Sequence, residues 1–313
     1  MIKNYFSFIR GIGKKTEQKF FKQGICSWED FLKQDNASGT LPGISSKKKK
    51  EVDEHLSNMQ KAVYTFDLKY LCRTIPQKEH WRLYDFFRDD CIFLDIEAGR
   101  VKRYGNVFDE MFLIGVYNNY EYKAFVKGIN LDLINFRNMT ADMSEIALDA
   151  TCDASAHSKD EQFLSMLKNS ALKYRACSGV FDISKHKMVV SFNGSVFDIP
   201  KINKYFEFGL KPKAYFPDIL HFDLRFACRK LGISGGLKQA EKFFGIKRQN
   251  KIVEGIGGGD PFELWKIYCA TGDEHYLNLL LEYNEEDVVN LKFLADRIFS
   301  LLKEKELERM KRI

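Results

Sequence analysis

Residues 91–97 read CIFLDIE, an apolar run that ends in two acids. A run of this composition predicts a buried β-strand. Alternate side chains of a strand point to the same face, so Asp95 and Glu97 are expected to converge on one spot. Two carboxylates placed together in an apolar setting repel each other and lose hydration, so they favour a bound cation or a proton. This segment is therefore expected to be a buried strand that carries part of a candidate site.

Further elements are predicted along the chain after this strand. Residues 112–117 and 122–129 favour two strands of an antiparallel meander, and residues 162–174 have helical periodicity. Residues 187–192 favour another buried strand. Strands mixed with helices in this way predict an α/β fold.

A second acidic position follows the strand over 187–192, in the sequence NGSVFDIP of residues 193–200. The chain is expected to turn at Asn193 and to enter a helix, which places Asp198 at a strand-to-helix edge where sites of α/β folds collect. An aspartate before a helix is also a common N-cap, and for Asp218 that interpretation is favoured over a role in the site.

The third acidic position lies in residues 281–288, LEYNEEDV, where a long amphipathic helix running to about Leu302 is predicted to begin. Tyr283 and Asp287 are four residues apart and share one face of that helix. Hard divalent cations take oxygen ligands, and a pair of them clamps the attacking and leaving oxygens in phosphodiester hydrolysis. The tyrosine hydroxyl is suited to orient or deprotonate a water molecule. The candidate site therefore comprises Asp95, Glu97, Asp198, Tyr283 and Asp287.

Two glycine turns near the N-terminus have similar sequences, FIRGIGKKT at residues 8–16 and LPGISSK at residues 41–47. A glycine turn lets the backbone approach a phosphate, and the amides that start the next helix point at the anion. The segments resemble the helix-hairpin-helix DNA-binding motif as a tandem pair over residues 4–60, although Ser45 replaces a usual glycine. Alternatively, the glycines only make turns in a small helical domain. The expected contacts to nucleic acid here are Gly11, Ile12, Gly13, Lys14, Lys15, Gly43 and Lys47.

The positive charge is concentrated in the same part of the chain. Residues 1–75 contain 14 Lys and Arg against 8 Asp and Glu, a net of +6, which is the net charge of the whole protein. A basic module joined to a neutral one suggests that the first grips a polyanion. We therefore predict a nucleic-acid-binding domain with its linker over 1–75 and a catalytic domain over 76–313.

Composition excludes several classes of protein. With 313 residues, 45% hydrophobic and 29% charged, the chain is neither disordered, nor collagen-like, nor a small disulfide scaffold. No apolar run approaches the length of about 20 residues that spans a bilayer, so no membrane association is expected. The seven cysteines are scattered and never form a CxxC pair, which indicates free thiols and a cytoplasmic location. No organic cofactor is expected.

The motifs FLDIE, FNGSVFDIP and YNEEDV resemble, in that order, the three exonuclease motifs of the DEDD superfamily of ribonuclease H-like nucleases. A tyrosine four residues before the last aspartate is similar to the DEDDy branch. The chain also resembles the YprB-type ribonuclease H-like family over residues 88–300. It departs from the common pattern at Ala98, where threonine or serine is usual.

The resemblance implies a ribonuclease H-like mixed five-stranded sheet with flanking helices, preceded by a small all-α helix-hairpin-helix domain. It implies a 3′–5′ exonuclease using two Mg²⁺ or Mn²⁺ ions, one held by Asp95, Glu97 and Asp287. Asp95 would bridge to the second ion, with Asp198 supporting it, and Tyr283 would position the water. Single-stranded DNA is the expected substrate, contacted also by Asn193 and Phe197. The alternatives are an RNA-directed exonuclease, an endonuclease, or a catalytically silent nucleic-acid-binding scaffold.

Overall fold

The structure, a computed structural model, describes most of the chain. The described residues are 1–34, 41, 44–103, 106–131, 134–135, 181–207, 219–248 and 261–311. Three features considered from the sequence lie outside the described residues, namely the helix over 162–174, Gly43 and Asp218.

A five-stranded mixed sheet lies at the centre of the described residues. The described residues contain seven strands, of which five form this sheet. They are β1 (Cys91–Arg103), β2 (Asn106–Tyr117), β3 (Tyr122–Val126), β4 (Ile134–Asn135), β5 (Phe181–Asp182), β6 (Met188–Ser191) and β7 (Leu220–Asp223). The main sheet has the order β3-β2-β1-β6-β7, with β1, β2 and β3 antiparallel and with β6 and β7 parallel to β1. Strands β4 and β5 form a separate parallel pair. The predicted meander is confirmed, although β1 continues beyond Glu97 and β3 ends before Ile129.

Strand β1 is the middle strand of the main sheet, and the alternation of its side chains defines the two faces. Ile92 and Leu94 are buried in a hydrophobic cluster on one face, whereas Phe93 is buried in a cluster on the other. Asp95 and Glu97 follow Phe93 with a period of two and therefore lie on its face. A β-bulge interrupts the pairing with β2 directly after Glu97, so regular alternation ends where the acids end.

The described part of the first 75 residues forms a short 3-10 helix (Ile2–Asn4) and four α-helices. The α-helices are α1 (Lys14–Lys22), α2 (Trp28–Leu32), α3 (Ser46–Thr65) and α4 (Leu68–Thr74). A capping box between Ser27 and Asp30 fixes the start of α2. One hydrophobic cluster joins this part to the sheet, since it contains Phe20, Leu56 and Phe93. Division of the chain after residue 75 therefore stays a prediction, and the two sides share a core.

The remaining α-helices flank the main sheet. They are α5 (Tyr84–Phe87), α6 (Asp198–Glu207), α7 (Leu224–Leu231), α8 (Leu237–Phe244), α9 (Pro261–Thr271) and α10 (Glu274–Lys311). Helix α6 contributes Ile202 to the cluster that contains Leu94, and α10 contributes Val288 to the cluster that contains Phe93. The predicted start of α10 at Leu281 is wrong, because the Asp273 carboxylate accepts the backbone N–H of His275 at 2.9 Å and begins the helix earlier.

The sequence led to expectations about membrane-spanning segments and about the cysteines. Among the residues placed in the structure, no helix is both long enough and apolar enough to cross a bilayer. Cys26, Cys72, Cys91, Cys228 and Cys269 are all free thiols in the described part, as expected from their spacing.

Candidate metal centre

Three of the predicted acids meet between the middle strand of the sheet and the long C-terminal helix. Asp95 and Glu97 extend from β1, and Asp287 extends from α10. One oxygen from each of these carboxylates lies within 4.8 Å of the other two. We call these three residues the carboxylate cluster. Alternation along β1 brings the first two acids together, and packing of α10 on that face supplies the third.

Asn284 holds the two acids of β1 in place. Its Nδ2 donates to Asp95 Oδ2 at 3.2 Å and to Glu97 Oε1 at 3.3 Å. Its Oδ1 accepts a hydrogen bond from the Tyr122 hydroxyl at 2.9 Å. Since Asn284 is fully buried, its amide has few alternative orientations, and it fixes the carboxylates from α10.

Room for that amide comes from Gly115 on β2. Gly115 is the residue paired with Asp95 across the two strands, and directly opposed residues share a face of the sheet. A Cβ atom at this position would lie 1.6 Å from Asn284 Oδ1, so no side chain fits. Sequence reasoning did not identify Asn284 or Gly115, although a glycine inside a predicted strand signals close approach of another group.

Asp198, the fourth predicted acid, lies beside the carboxylate cluster. It is the first residue of α6 and is only 3% exposed. Its Oδ1 accepts a hydrogen bond from the backbone N–H of Ile96 at 3.1 Å. Ile96 lies beyond Phe93, which is the last residue of β1 that pairs with β6. Burial raises the pKa of Asp198 to about 7. The neighbouring charge of Asp198 is, after burial, the main reason that the pKa of Asp95 is raised.

The electrostatics of the cluster fit a bound cation. Burial and then the charges of Asp198, Glu97 and Asp287 raise the pKa of Asp95 well above its usual range. Burial raises the pKa of Asp287 to about 6, although the neighbouring Arg248 opposes this shift. Carboxylate oxygens gathered at this spacing are the donors that a hard divalent ion prefers, and the ion would offset their repulsion. The carboxylate cluster can therefore hold a divalent metal ion.

A buried ion-pair network adjoins Asp287. Arg248, which follows α8, donates through Nη2 to Asp287 Oδ1, and through Nε and Nη2 to the carboxylate of Glu241. Asn290 Nδ2 donates to Glu241 Oε1 at 2.8 Å. The sequence carried no recognisable signal for this network, because Arg248 lies 39 residues before Asp287 and meets it only through tertiary packing.

Tyr283 lies one helical turn before Asp287, as predicted. Its ring has two cations beside it, Lys238 Nζ at 5.2 Å and Arg248 Cζ at 5.5 Å from the ring centroid. Burial, followed by the charge of Asp287, raises the pKa of the Tyr283 hydroxyl. The hydroxyl therefore stays protonated at neutral pH, which suits it to orient a water molecule and not to take a proton from it.

The turn between β6 and α6 holds the two other predicted contact residues of the catalytic half. Asn193 has a positive φ of 69°, and its backbone N–H donates to Asp223 Oδ1 at 2.9 Å. Asp223 also accepts from the Ser195 backbone at 3.1 Å, so this buried carboxylate, which the sequence did not reveal, shapes the turn. Phe197 is 43% exposed, with Lys201 Nζ 4.7 Å from its ring centroid. An exposed ring beside a cation can stack a base.

The predicted contacts of the N-terminal part divide into exposed and buried residues. Gly11, Gly13, Lys14, Lys15 and Lys47 are all exposed. In contrast, the Ile12 side chain packs in the hydrophobic core.

The residues around the second glycine turn have local structural roles. Ser45 caps α3 by accepting the backbone N–H of Lys48 at 3.3 Å. Lys49 is buried and pairs with Asp53, so it is not a free surface cation. The tetralysine over 47–50 is therefore only partly a basic surface.

The order of the main sheet, with acids on its middle strand and on the C-terminal helix, defines an α/β protein with a candidate metal site on one face. A family model described as the RNase H superfamily matches residues 140–299, just over half of the chain. The protein belongs to the RNase H superfamily, which implies a nucleic-acid hydrolase. The matched region includes Asp198, Tyr283 and Asp287, and the structure adds the acids of β1 to them. No curated protein and no solved structure matches the chain.

Proposed function

We propose that this protein is a metal-dependent 3′–5′ exonuclease of the DEDDy type. The observation that carries the proposal is the approach of Asp95, Glu97 and Asp287 to within 4.8 Å of one another. Asp198 beside them and Tyr283 one turn before Asp287 complete the pattern of that class. Membership in the RNase H superfamily supports hydrolysis of nucleic acid, and the motif order supports the exonuclease branch.

In this proposal each acid has a defined task. Asp95, Glu97 and Asp287 would hold one divalent ion, and Asp95 with Asp198 would support a second, the ions being Mg²⁺ or Mn²⁺. When bound, such ions supply charge stabilisation for the attacking and leaving oxygens of a phosphodiester. Asn284 keeps Asp95 and Glu97 oriented, which limits the reorganisation needed on binding. The protonated Tyr283 hydroxyl orients the attacking water.

We further propose that the chain works in two parts, a tandem helix-hairpin-helix module over 1–75 and an exonuclease over 76–313. The exposed Gly11, Gly13, Lys14, Lys15 and Lys47 support phosphate contacts that ignore base sequence. Joining the module to the nuclease raises the local concentration of substrate at the site.

Single-stranded DNA is the proposed substrate, with RNA as the alternative. A free strand end can reach the exposed ring of Phe197 beside α6, where a base can stack, and it can pass Asn193 in the adjoining turn. Base stacking, metal ions and phosphate contacts all ignore the 2′-hydroxyl, so none of them distinguishes the two polymers. Comparing the cleavage of matched DNA and RNA strands decides between the two polymers.

Cleavage of 5′-labelled strands tests this function directly. Wild type is expected to shorten single-stranded DNA from its 3′ end in Mn²⁺ or Mg²⁺, and to leave it intact in EDTA. Asp198→Ala should lower the rate at least a hundredfold, about the effect of removing one group that stabilises the transition state. Matched RNA strands show which polymer is preferred. Normal cleavage by Asp198→Ala would refute the site, and intact strands that still bind the protein would favour the silent scaffold.

Charge reversal on α1 tests the N-terminal module. The double substitution Lys14→Glu and Lys15→Glu is expected to weaken binding of single-stranded DNA about tenfold or more. It should also reduce the slope of log K against log salt by about 1.4, because two phosphate contacts are lost. Lys19→Glu with Lys22→Glu is the matched control, since it makes the same charge change further along the same helix. Equal losses in the two double variants, measured by fluorescence anisotropy, would argue against the glycine turn as the contact point.

A further inference from the structure

Arg248 is a built-in cation at the edge of the carboxylate cluster. Its side chain is only 8% exposed. Its Nη2 donates to Asp287, and its guanidinium lies against the ring of Tyr283 at 5.5 Å. A buried arginine between a predicted metal ligand and the predicted water-orienting tyrosine calls for a role in the chemistry of the site.

Glu241 anchors that arginine independently of the cluster. Arg248 Nε lies 3.2 Å from Glu241 Oε2, and Nη2 lies 3.1 Å from the same atom. Glu241 is 3% exposed and is itself held by Asn290 from α10. Two nitrogens on one carboxylate give a directional attachment, so Glu241 would keep Arg248 in place if Asp287 turned to a metal ion.

Among the residues that the structure describes, one nitrogen of the guanidinium has no hydrogen-bond partner. Arg248 Nη1 is buried and has no hydrogen-bond partner among the described residues. Buried donors are nearly always satisfied, so an unpaired one at a candidate site points to an acceptor that binds there. The planar guanidinium matches the oxygens of a phosphate. A phosphodiester drawn to a metal ion on the carboxylate cluster would come beside this nitrogen.

The charge of the site supports the same conclusion. The cluster and Asp198 place four carboxylates in one region, which alone would repel a nucleic-acid strand. Arg248 and Lys238 both lie beside the ring of Tyr283, so they bring positive charge to that side of the region. A phosphate is therefore favoured on the Tyr283 side of the cluster.

We propose that Arg248 is a catalytic residue that contacts the substrate through Nη1, which donates to a non-bridging phosphate oxygen while Glu241 holds the guanidinium. This inference rests on the proposed nuclease function and names a substrate contact within it. Glu241 is a positioning residue, since it acts through Arg248.

Calorimetric binding of deoxythymidine 5′-monophosphate in Mn²⁺ tests the proposal without turnover. Arg248→Ala is expected to weaken nucleotide binding about 10- to 100-fold, the range of a charge-assisted hydrogen bond. Arg248→Lys, which keeps the charge but loses the fork, should fall between the two and guards against failure of the alanine variant to fold. Arg229→Ala removes an exposed arginine of α7 as the matched control and should bind as wild type.

A separate titration of Mn²⁺ affinity distinguishes a substrate contact by Arg248 from a role as counter-ion of Asp287. Wild-type nucleotide affinity in both Arg248 variants, with tighter Mn²⁺ binding in Arg248→Ala, would overturn the proposal and make Arg248 only a counter-ion of Asp287. Failure of wild type to bind the nucleotide in Mn²⁺ would also overturn it. A wild-type protein that binds nucleotide but cuts no strand would refute the exonuclease and leave the Arg248 test valid.

Discussion

Asp95→Asn is expected to lower strand cleavage about a thousandfold, while it raises the thermal stability of the protein in EDTA. Asp95 lies on the middle strand, and the charges of Asp198, Glu97 and Asp287 all act on it. Asparagine keeps the shape and an acceptor for Asn284 but removes one charge from the repelling group. The same substitution therefore removes a proposed metal ligand and relieves a cost that the folded protein bears without metal.

The stability gain should depend on pH in a defined direction. A carboxyl group with a raised pKa binds its proton more tightly in the folded protein than in the unfolded chain, so ionisation at higher pH reduces stability. For Asp287 at about 6 and Asp198 at about 7, that loss develops between about pH 4 and pH 7. The asparagine variant loses less over this range. Its melting temperature at pH 8 should exceed that of wild type by about 2–4 °C, or roughly 1 kcal/mol.

Thermal melts in EDTA and in Mn²⁺ check this prediction beside the cleavage assay. Mn²⁺ at a hundred times its dissociation constant should stabilise wild type by about 2.7 kcal/mol and the variant much less, so the order of stability reverses. Asp89→Asn, the same chemical change at an exposed acid before β1, should behave as wild type in every condition. Equal Mn²⁺ shifts in wild type and Asp95→Asn would contradict the assignment of Asp95 as a ligand.

The convergence of the acids could be predicted from local periodicity. A period of two along β1 places Asp95 and Glu97 on one face of the strand, and a spacing of four along α10 places Tyr283 and Asp287 on one face of the helix. The apolar composition of 91–97 was sufficient to predict a buried strand, and the structure has it in the middle of the sheet. These predictions succeed because each depends on residues that are close in the chain.

The residues that hold the acids were missed because their roles depend on tertiary registration. Gly115 matters only once β2 pairs it with Asp95, and Asn284 matters only once α10 packs over that pair. Arg248 meets Asp287 and Glu241 through the packing of α8 against α10. A glycine inside a predicted strand signals close approach of some group, but no short sequence pattern identifies which residue makes the contact. Each contact follows only from the assembled sheet and helix.

Gly115→Ala should disrupt the candidate site although residue 115 contributes no metal ligand. The added methyl group would lie 1.6 Å from Asn284 Oδ1 and 2.8 Å from its Cγ, so the amide must move away from Asp95 and Glu97. We expect a loss of stability of about 1–3 kcal/mol, the usual cost of overpacking a core. Mn²⁺ affinity should fall about tenfold or more, since supporting hydrogen bonds of metal ligands are worth that much.

A pair of tyrosine variants separates the role of Asn284 from general damage to the fold. Tyr122→Phe removes the hydroxyl that donates to Asn284 Oδ1 and should cost about 1 kcal/mol of stability, with a smaller loss of Mn²⁺ affinity than in Gly115→Ala. Tyr120→Phe, at a site 85% exposed, should change neither quantity. Mn²⁺ titration and thermal melts of the three variants give the comparison. If Gly115→Ala kept wild-type Mn²⁺ affinity despite lower stability, Asn284 would serve packing alone, and the orientation of the acids would have to come from the backbone of β1.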